Sequence, residues 1–297
     1  MKTHSRRDFL KVTAAGTLGS LIIPGCSAGM ATSPIALQLY TIRDFMNTRE
    51  DVLASLKKLS EIGYKNLELA GYADGKFYGF DPKEFRKIVN DLGMEVLSSH
   101  TSVESASQVG DAKKVGDDHA AVGAKYAIQP WVNPPDRTLD FFQKMVEQMN
   151  EAGRTMKSVG IKFGYHNHNF EFANLDGKIP YFDIIMPGTD KDLVTMELDL
   201  FWTTKAGQDP VEIFKKYPGR FELLHCKDMY TKQDPFYDTV GVTDFAPVGA
   251  GVLDFKRIFA EKKTAGVKWY VVEQDLTKDG KPFDAVQTSI TNLSKMV

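Results

Sequence analysis

From residue 35 onward the chain alternates short apolar runs with longer amphipathic segments, and few folds accept that order. The runs are Ile35 to Tyr40, Lys65 to Leu69, Glu95 to His100, Lys125 to Gln129, Ile161 to Phe163, Leu193 to Asp199, Phe221 to His225 and Trp269 to Glu273. Between them, Arg49 to Ile62 carries Val52, Leu53, Leu56 and Leu59 at helical spacing and stops at Gly63. Asp81-Pro82 opens a second helix as N-cap and first-turn proline. Further helices are expected from Ser105 to Val122, from Arg137 to Val159, at Tyr181 to Ile185, from Asp209-Pro210 to before Pro218, and within Phe283 to Met296. Eight strands alternating with helices predict a single (β/α)8 barrel, whose typical length is about 250 residues. A doubly wound open sheet is the alternative, but the turn Tyr40-Thr41-Ile42-Arg43-Asp44 after the first run has no phosphate-binding glycines.

The barrel is expected to occupy residues 33–297. Ser5-Arg6-Arg7-Asp8-Phe9-Leu10-Lys11 and the weakly apolar run after it have the pattern of a twin-arginine export signal, so residues 1–32 are read as a leader. Its end, Ile22-Ile23-Pro24-Gly25-Cys26, is similar to a lipobox in which Cys26 would carry lipid. Pro24 is atypical there, so cleavage without lipidation stays open. The expected destination is the periplasm or the membrane surface, with membrane contact only through that anchor. Cys226 is then the only cysteine of the mature domain, and no internal disulfide can form. A net charge of −2 removes nucleic acid from the expected partners. Nothing in the sequence specifies an oligomeric state.

A (β/α)8 barrel brings the C-terminal ends of its strands to one mouth. Those ends hold Gln38 and Tyr40, Glu68, His100, Gln129 and Trp131, His166 and His168, Asp199, His225, and Glu273. A purely structural barrel has no reason to end nearly every strand in a polar group. His166, Asp199, His225 and Glu273 form a mixed nitrogen and oxygen set suited to one divalent ion such as zinc, manganese or cobalt. In Tyr165-His166-Asn167-His168, strand alternation turns both histidines to one pocket and Asn167 away. Each residue has a plainer role available: Asp199 as a helix cap, His225 as a core histidine, Trp202 as core packing. Glu197 shares a strand face with Asp199, and a buried pair of carboxylates needs a cation nearby. His119, inside a helix, is expected at the surface. The connection from Lys227 to Val252 is long enough for a lid at the mouth or for an ordered excursion.

With these residues the chain resembles the xylose isomerase-like TIM-barrel superfamily, also called sugar phosphate isomerase/epimerase. The marks are Tyr165-His166-Asn167-His168 with Phe170-Glu171-Phe172, Glu197-Leu198-Asp199, His225-Cys226-Lys227-Asp228 and Val271-Val272-Glu273. The resemblance implies one divalent metal held by Glu, Asp, His and Glu at the ends of strands five to eight. Asp199, His225 and Glu273 match the last three positions. His166 stands where much of the family has glutamate, so either His166 or the nearby Glu171 completes the set.

The activity implied is isomerisation or epimerisation of a sugar by proton removal next to a carbonyl through a metal-stabilised enediolate. Glu273, Glu171 and His168 are the catalytic candidates, with His100 as a further acid or base. Gln38, Tyr40, Glu68, His100, Gln129, Trp131, Trp202 and Lys227 are the substrate-binding candidates. Trp131, Trp202 and Phe45 are the residues expected to face a sugar ring. An export signal disfavours phosphorylated, cytoplasmic sugars. The alternatives are therefore an exported lyase or hydrolase of 3-keto-glycosides, and a sugar-binding lipoprotein without chemistry.

Overall fold

The computed structural model describes residues 33–101, 112–174, 179–232, 234–238 and 243–297. The twin-arginine segment, the lipobox with Cys26, and the first part of the helix expected from Ser105 lie outside the described residues.

Eight parallel strands close into a barrel: β1 (Ile35–Gln38), β2 (Asn66–Leu69), β3 (Glu95–His100), β4 (Tyr126–Gln129), β5 (Lys162–His166), β6 (Val194–Asp199), β7 (Phe221–Cys226) and β8 (Trp269–Val272). Each pairs with its sequence neighbours, and β1 pairs with β8 to complete the ring. The expected fold class is therefore the observed one. The helices around it are α1 (Arg49–Ile62), α2 (Pro82–Asp91), α3 (Ala112–Val122), α4 (Leu139–Lys157), α5 (Phe182–Gly188), α6 (Leu200–Lys205), α7 (Pro210–Lys216), α8 (Phe255–Ala260), α9 (Lys262–Ala265) and α10 (Pro282–Leu293).

Local chemistry explains the bounds. A reciprocal capping box between Thr48 and Asp51 starts α1, and Gly63 at φ 112° ends it. Helix α4 begins two residues later than expected because Pro134–Asp136 forms a 3-10 turn and Thr138 then caps the Phe141 N–H. Asp81 precedes α2 without a side-chain capping bond, so Pro82 alone marks that start. Asp199 caps the short helix Leu200–Lys205, the plainer role the sequence offered for it, whereas no element was expected at residues 255–265, where two short helices occur.

Strand alternation sorts side chains into layers. Ala36, Leu97, Tyr126, Ile128, Leu223 and Val271 fill the lower barrel interior as a cluster of their own. Gly164 leaves room for them: a Cβ there would lie 2.6 Å from Ile128 Cδ1. One layer further along the strands, the inward face carries Gln38, Glu68, His100, His166, Glu197, His225 and Glu273; on β3 the extra residue at the register shift puts His100 three residues after Leu97. Register shifts fall between Leu67 and Glu68 and between Met196 and Glu197, where the chain enters this polar layer. Bulges at such places re-aim side chains.

The long connection is anchored at its described ends. Asp228–Met229 pairs antiparallel with Phe245–Ala246. The Asp228 carboxylate accepts the backbone N–H groups of Met229, Gly249, Gly251 and Leu253 at 2.8, 3.0, 2.9 and 3.1 Å. His119 departs from expectation. It is buried between the Tyr72 and Phe77 rings and bonds Thr101 Oγ1 and the Val115 carbonyl, because α3 turns this face onto the barrel.

Candidate active site

At the C-terminal mouth lies a cavity of about 720 Å³. Its floor is His100, His166, Lys227 and Glu273, and its walls include Trp131, His168, Trp202 and Phe245. Tyr40, Arg43 and Leu276 also line it.

Beneath the floor, imidazoles and carboxylates interlock. Glu197 Oε2 is 2.9 Å from His100 Nε2, 3.1 Å from His166 Nδ1 and 3.0 Å from His225 Nε2. Glu68 Oε1 lies 2.6 Å from His225 Nε2 and 3.2 Å from His100 Nε2, and its other oxygen accepts from Ser98 Oγ. On the cavity side, His225 Nδ1 is 2.9 Å from Glu273 Oε2 and 3.8 Å from Asp199 Oδ2, while His166 Nε2 is 3.9 Å from Asp199 Oδ2. Lys227 Nζ completes the group, 2.7 Å from Glu273, 3.0 Å from Asp275 and 3.2 Å from Asp199.

These contacts set the charges. Burial raises the Glu68 carboxyl, but His100 and His225 outweigh it and hold the group far below the usual carboxylate range. Burial and Glu68 likewise push Glu197 up, yet three imidazoles bring it down to about 2. His100 is depressed by burial but lifted to about 9 by Glu68 and Glu197. Burial pushes Asp199 up to about 6 against the pull of Lys227. Glu273 stays well below its usual value because Lys227 and His225 overcome its burial. Burial drives His166 and His168 well below the ordinary histidine range, so both are neutral.

The donor set suits a divalent cation. Ligand atoms about 2.0–2.2 Å from a metal lie roughly 3–4 Å from one another, and the cavity-side separations above fall in or close to that range. Asp199 Oδ1 accepts the Trp202 N–H at 2.8 Å and caps α6, whereas its buried Oδ2 accepts no hydrogen bond. The capping oxygen and the candidate ligand oxygen are thus two atoms of one side chain. Asp199, His225 and Glu273 present three mutually close donors, with His166 beside them. Four buried acidic side chains, Glu68, Glu197, Asp199 and Glu273, and the half-buried Asp275 face Lys227 and the imidazoles of His100 and His225, so the carboxylates still outnumber the cations. Glu171 lies apart from this set. Its oxygens accept from Tyr165 Oη at 2.6 Å and the His168 N–H at 2.9 Å, and burial raises its carboxyl to about 7.

The remaining expected site residues divide between cavity and support. His168, Trp131, Trp202, Tyr40 and Lys227 line the cavity. Gln38, Glu68 and Gln129 are buried behind it: Gln38 donates to Glu68 at 2.8 Å, and Gln129 donates to the Trp131 carbonyl at 2.7 Å. Phe45 is not at the mouth; it packs edge-on against Phe283, 5.3 Å away, because the 3-10 turn after β1 carries it outward. As expected, Asn167 turns from the pocket, and its Oδ1 accepts the Asp199 N–H. Sequence reasoning left Asp275 and Arg43 out of the site. Arg43 donates to the Asp275 carbonyl at 2.9 Å, but its place after β1 gave no signal.

A family described as xylose isomerase-like TIM barrel matches residues 56–295. An inosose dehydratase of Geobacillus kaustophilus is 26% identical over 250 residues, covering 74% of this chain and 79% of that protein. A sugar phosphate isomerase/epimerase from Parabacteroides distasonis is 30% identical and superposes with a TM-score of 0.73, covering 90% of this chain and 95% of its own. The IOLI protein, solved with a zinc atom, superposes with a TM-score of 0.68 over 89% of this chain and 99% of its own; at 15% identity it is similar in fold alone.

Proposed function

The chain belongs to the xylose isomerase-like TIM barrel family, and on that premise we propose that it is a metal-dependent lyase acting on a keto-sugar. It removes the proton next to the carbonyl and expels a substituent from the neighbouring carbon. The observation that carries the metal site is the buried Oδ2 of Asp199, which accepts no hydrogen bond, lies 3.2 Å from the Lys227 ammonium and is set beside His225 Nδ1 and Glu273 Oε2. The inosose dehydratase relatives support elimination as the outcome.

His166, Asp199, His225 and Glu273 would hold the ion, with zinc, manganese and cobalt as the fitting choices. When bound, it would draw charge onto the substrate carbonyl oxygen and acidify the adjacent C–H. Glu273, whose carboxylate lines the cavity floor, is the group placed to take this proton. His100 sits across the floor as an acid and donates a proton to the departing oxygen, so that water or an alcohol leaves. A cation bound beside it would lower the His100 pKa. His168, neutral and at the wall, hydrogen-bonds the sugar, and Glu171 positions it through its backbone N–H. Trp131 and Trp202 supply apolar surface. Lys227, which lines the cavity, would hold an oxygen of the substrate.

Isomerisation or epimerisation is the second reading, favoured by the Parabacteroides distasonis relative. The two diverge only after proton removal. The test is incubation of metal-supplemented protein with a keto-sugar in heavy water. A released fragment or dehydrated product supports the lyase; deuterium in an intact sugar supports the isomerase. Neither, with zinc, manganese or cobalt, would leave only a binding protein. We also propose export through the twin-arginine segment with lipid on Cys26, tested by cell fractionation and labelled fatty acid incorporation.

A further inference from the structure

We infer that Glu197 is a shared positioning residue that orients three site histidines and fixes the tautomers of His166 and His225, and with them which nitrogens can bind the metal. The inference rests on the metal-dependent reading above. Glu197 lies on β6 two residues before Asp199, fully buried on the same inward face. A carboxylate accepts hydrogen bonds but cannot donate them. Each nitrogen held against Glu197 Oε2 must therefore carry the proton: Nδ1 of His166, Nε2 of His225 and Nε2 of His100.

The consequence is geometric. With its Nδ1 protonated, His166 keeps a lone pair on Nε2, 3.9 Å from Asp199 Oδ2. With its Nε2 as the protonated nitrogen, a neutral His225 would have its lone pair on Nδ1, 2.9 Å from Glu273 Oε2 and 3.8 Å from Asp199 Oδ2. Both free lone pairs fall on the Asp199 side, where the oxygen ligands are. The His100 ring, held by Glu197 through its Nε2–H, borders the cavity.

The opposite tautomer of His225 is also stereochemically satisfied, since Nδ1–H could donate to Glu273 at 2.9 Å. That form would turn a ligand nitrogen into a donor and tie up a ligand oxygen. Glu197, with Glu68 at 2.6 Å from His225 Nε2, supplies the competing acceptors that select the binding-ready form. Carboxylates that take the second N–H of a metal-bound imidazole perform this task generally, and their loss weakens metal binding about 10- to 100-fold.

The experiment measures zinc affinity by chelator competition in wild type and Glu197→Gln, together with ring-proton tautomers of zinc-loaded wild type containing ¹⁵N-histidine. The expected result is a 10- to 100-fold loss of affinity in Glu197→Gln, with the proton on Nδ1 of His166 and on Nε2 of His225 in wild type. The tautomer measurement needs no variant, so a misfolded Glu197→Gln leaves the inference testable. Wild-type affinity in a folded Glu197→Gln, or an Nδ1–H tautomer for His225, would overturn it while leaving the metal reading intact. Two zinc ions per chain with loss of these ring protons would overturn it as well, because the lower cluster would then be a second cation site. A wild type that binds no zinc, manganese or cobalt would remove the metal reading itself and this inference with it.

Discussion

Lys227 places its ammonium 2.7 Å from the Glu273 carboxylate, on the same oxygen that faces His225 Nδ1. The lysine therefore stands where a bound cation would act electrostatically, and it also bridges Asp199 and Asp275. Lys227→Met should destabilise the metal-free protein by about 3–5 kcal/mol, the usual cost of stranding one side of a buried ion pair. Zinc should restore most of that loss, so the metal-induced rise in Tm should be larger in the variant than in wild type. Melting with zinc and with chelator checks this; equal rises would detach Lys227 from the cation site.

His119 makes stability depend on mild acid. Burial depresses it to about 4, against an ordinary value near 6.5. Between those values the unfolded chain binds the proton and the folded chain does not. The contribution is fully present above about pH 6.5 and is lost as pH falls toward 4. From pH 7.5 to pH 5 this amounts to roughly 2 kcal/mol. Replacing His119 by Phe, which keeps ring volume beside Tyr72 and Phe77, should remove about that much of the pH difference, as read by urea unfolding at both pH values.

Asp228 holds four backbone N–H groups of the connection after β7. An asparagine there can accept only through one oxygen and turns a donor toward part of that ring. Hydrogen bonds to a charged acceptor are worth about 1.5–3 kcal/mol each, so Asp228→Asn should speed amide exchange at Gly249 and Gly251 by about 10- to 100-fold. Gly251→Ala should act on the same unit, since a Cβ would fall 2.2 Å from the Met229 carbonyl oxygen. Hydrogen exchange resolved by residue tests both, and unchanged protection would mean that the short β-ribbon alone holds the loop.

The barrel was legible because its signal is periodic and local: apolar runs, capping residues such as Thr48, and stops such as Gly63 repeat along the chain. The polar mouth was legible for the same reason, since strand ends can be read off the runs. What could not be read is how deeply a side chain lies. Gln38, Glu68 and Gln129 end strands as His100 does, yet they support the floor from behind. Glu197 was noticed as the partner of Asp199, but its contacts to His100, His166 and His225 join four strands and have no sequence spacing. His119 was misplaced because a helix pattern gives a face without saying what covers it. The helix Leu200–Lys205 is too short for a periodic signal and depends on the Asp199 cap.

That double role of Asp199 can be separated by substitution. Its Oδ1 caps α6 through the Trp202 N–H at 2.8 Å, and its Oδ2 faces the imidazoles and the Lys227 ammonium. Asp199→Asn keeps an acceptor for the cap and removes the anionic ligand, so zinc affinity should fall by on the order of 100-fold or more while the metal-free fold persists. Asp199→Ala removes both, and should cost about 1 kcal/mol further through the lost cap. Chelator competition and chemical unfolding of the two variants give independent readings. If Asp199→Asn bound zinc as wild type does, Asp199 would be a cap alone, and the ligand set would have to be rebuilt around His166, His225 and Glu273.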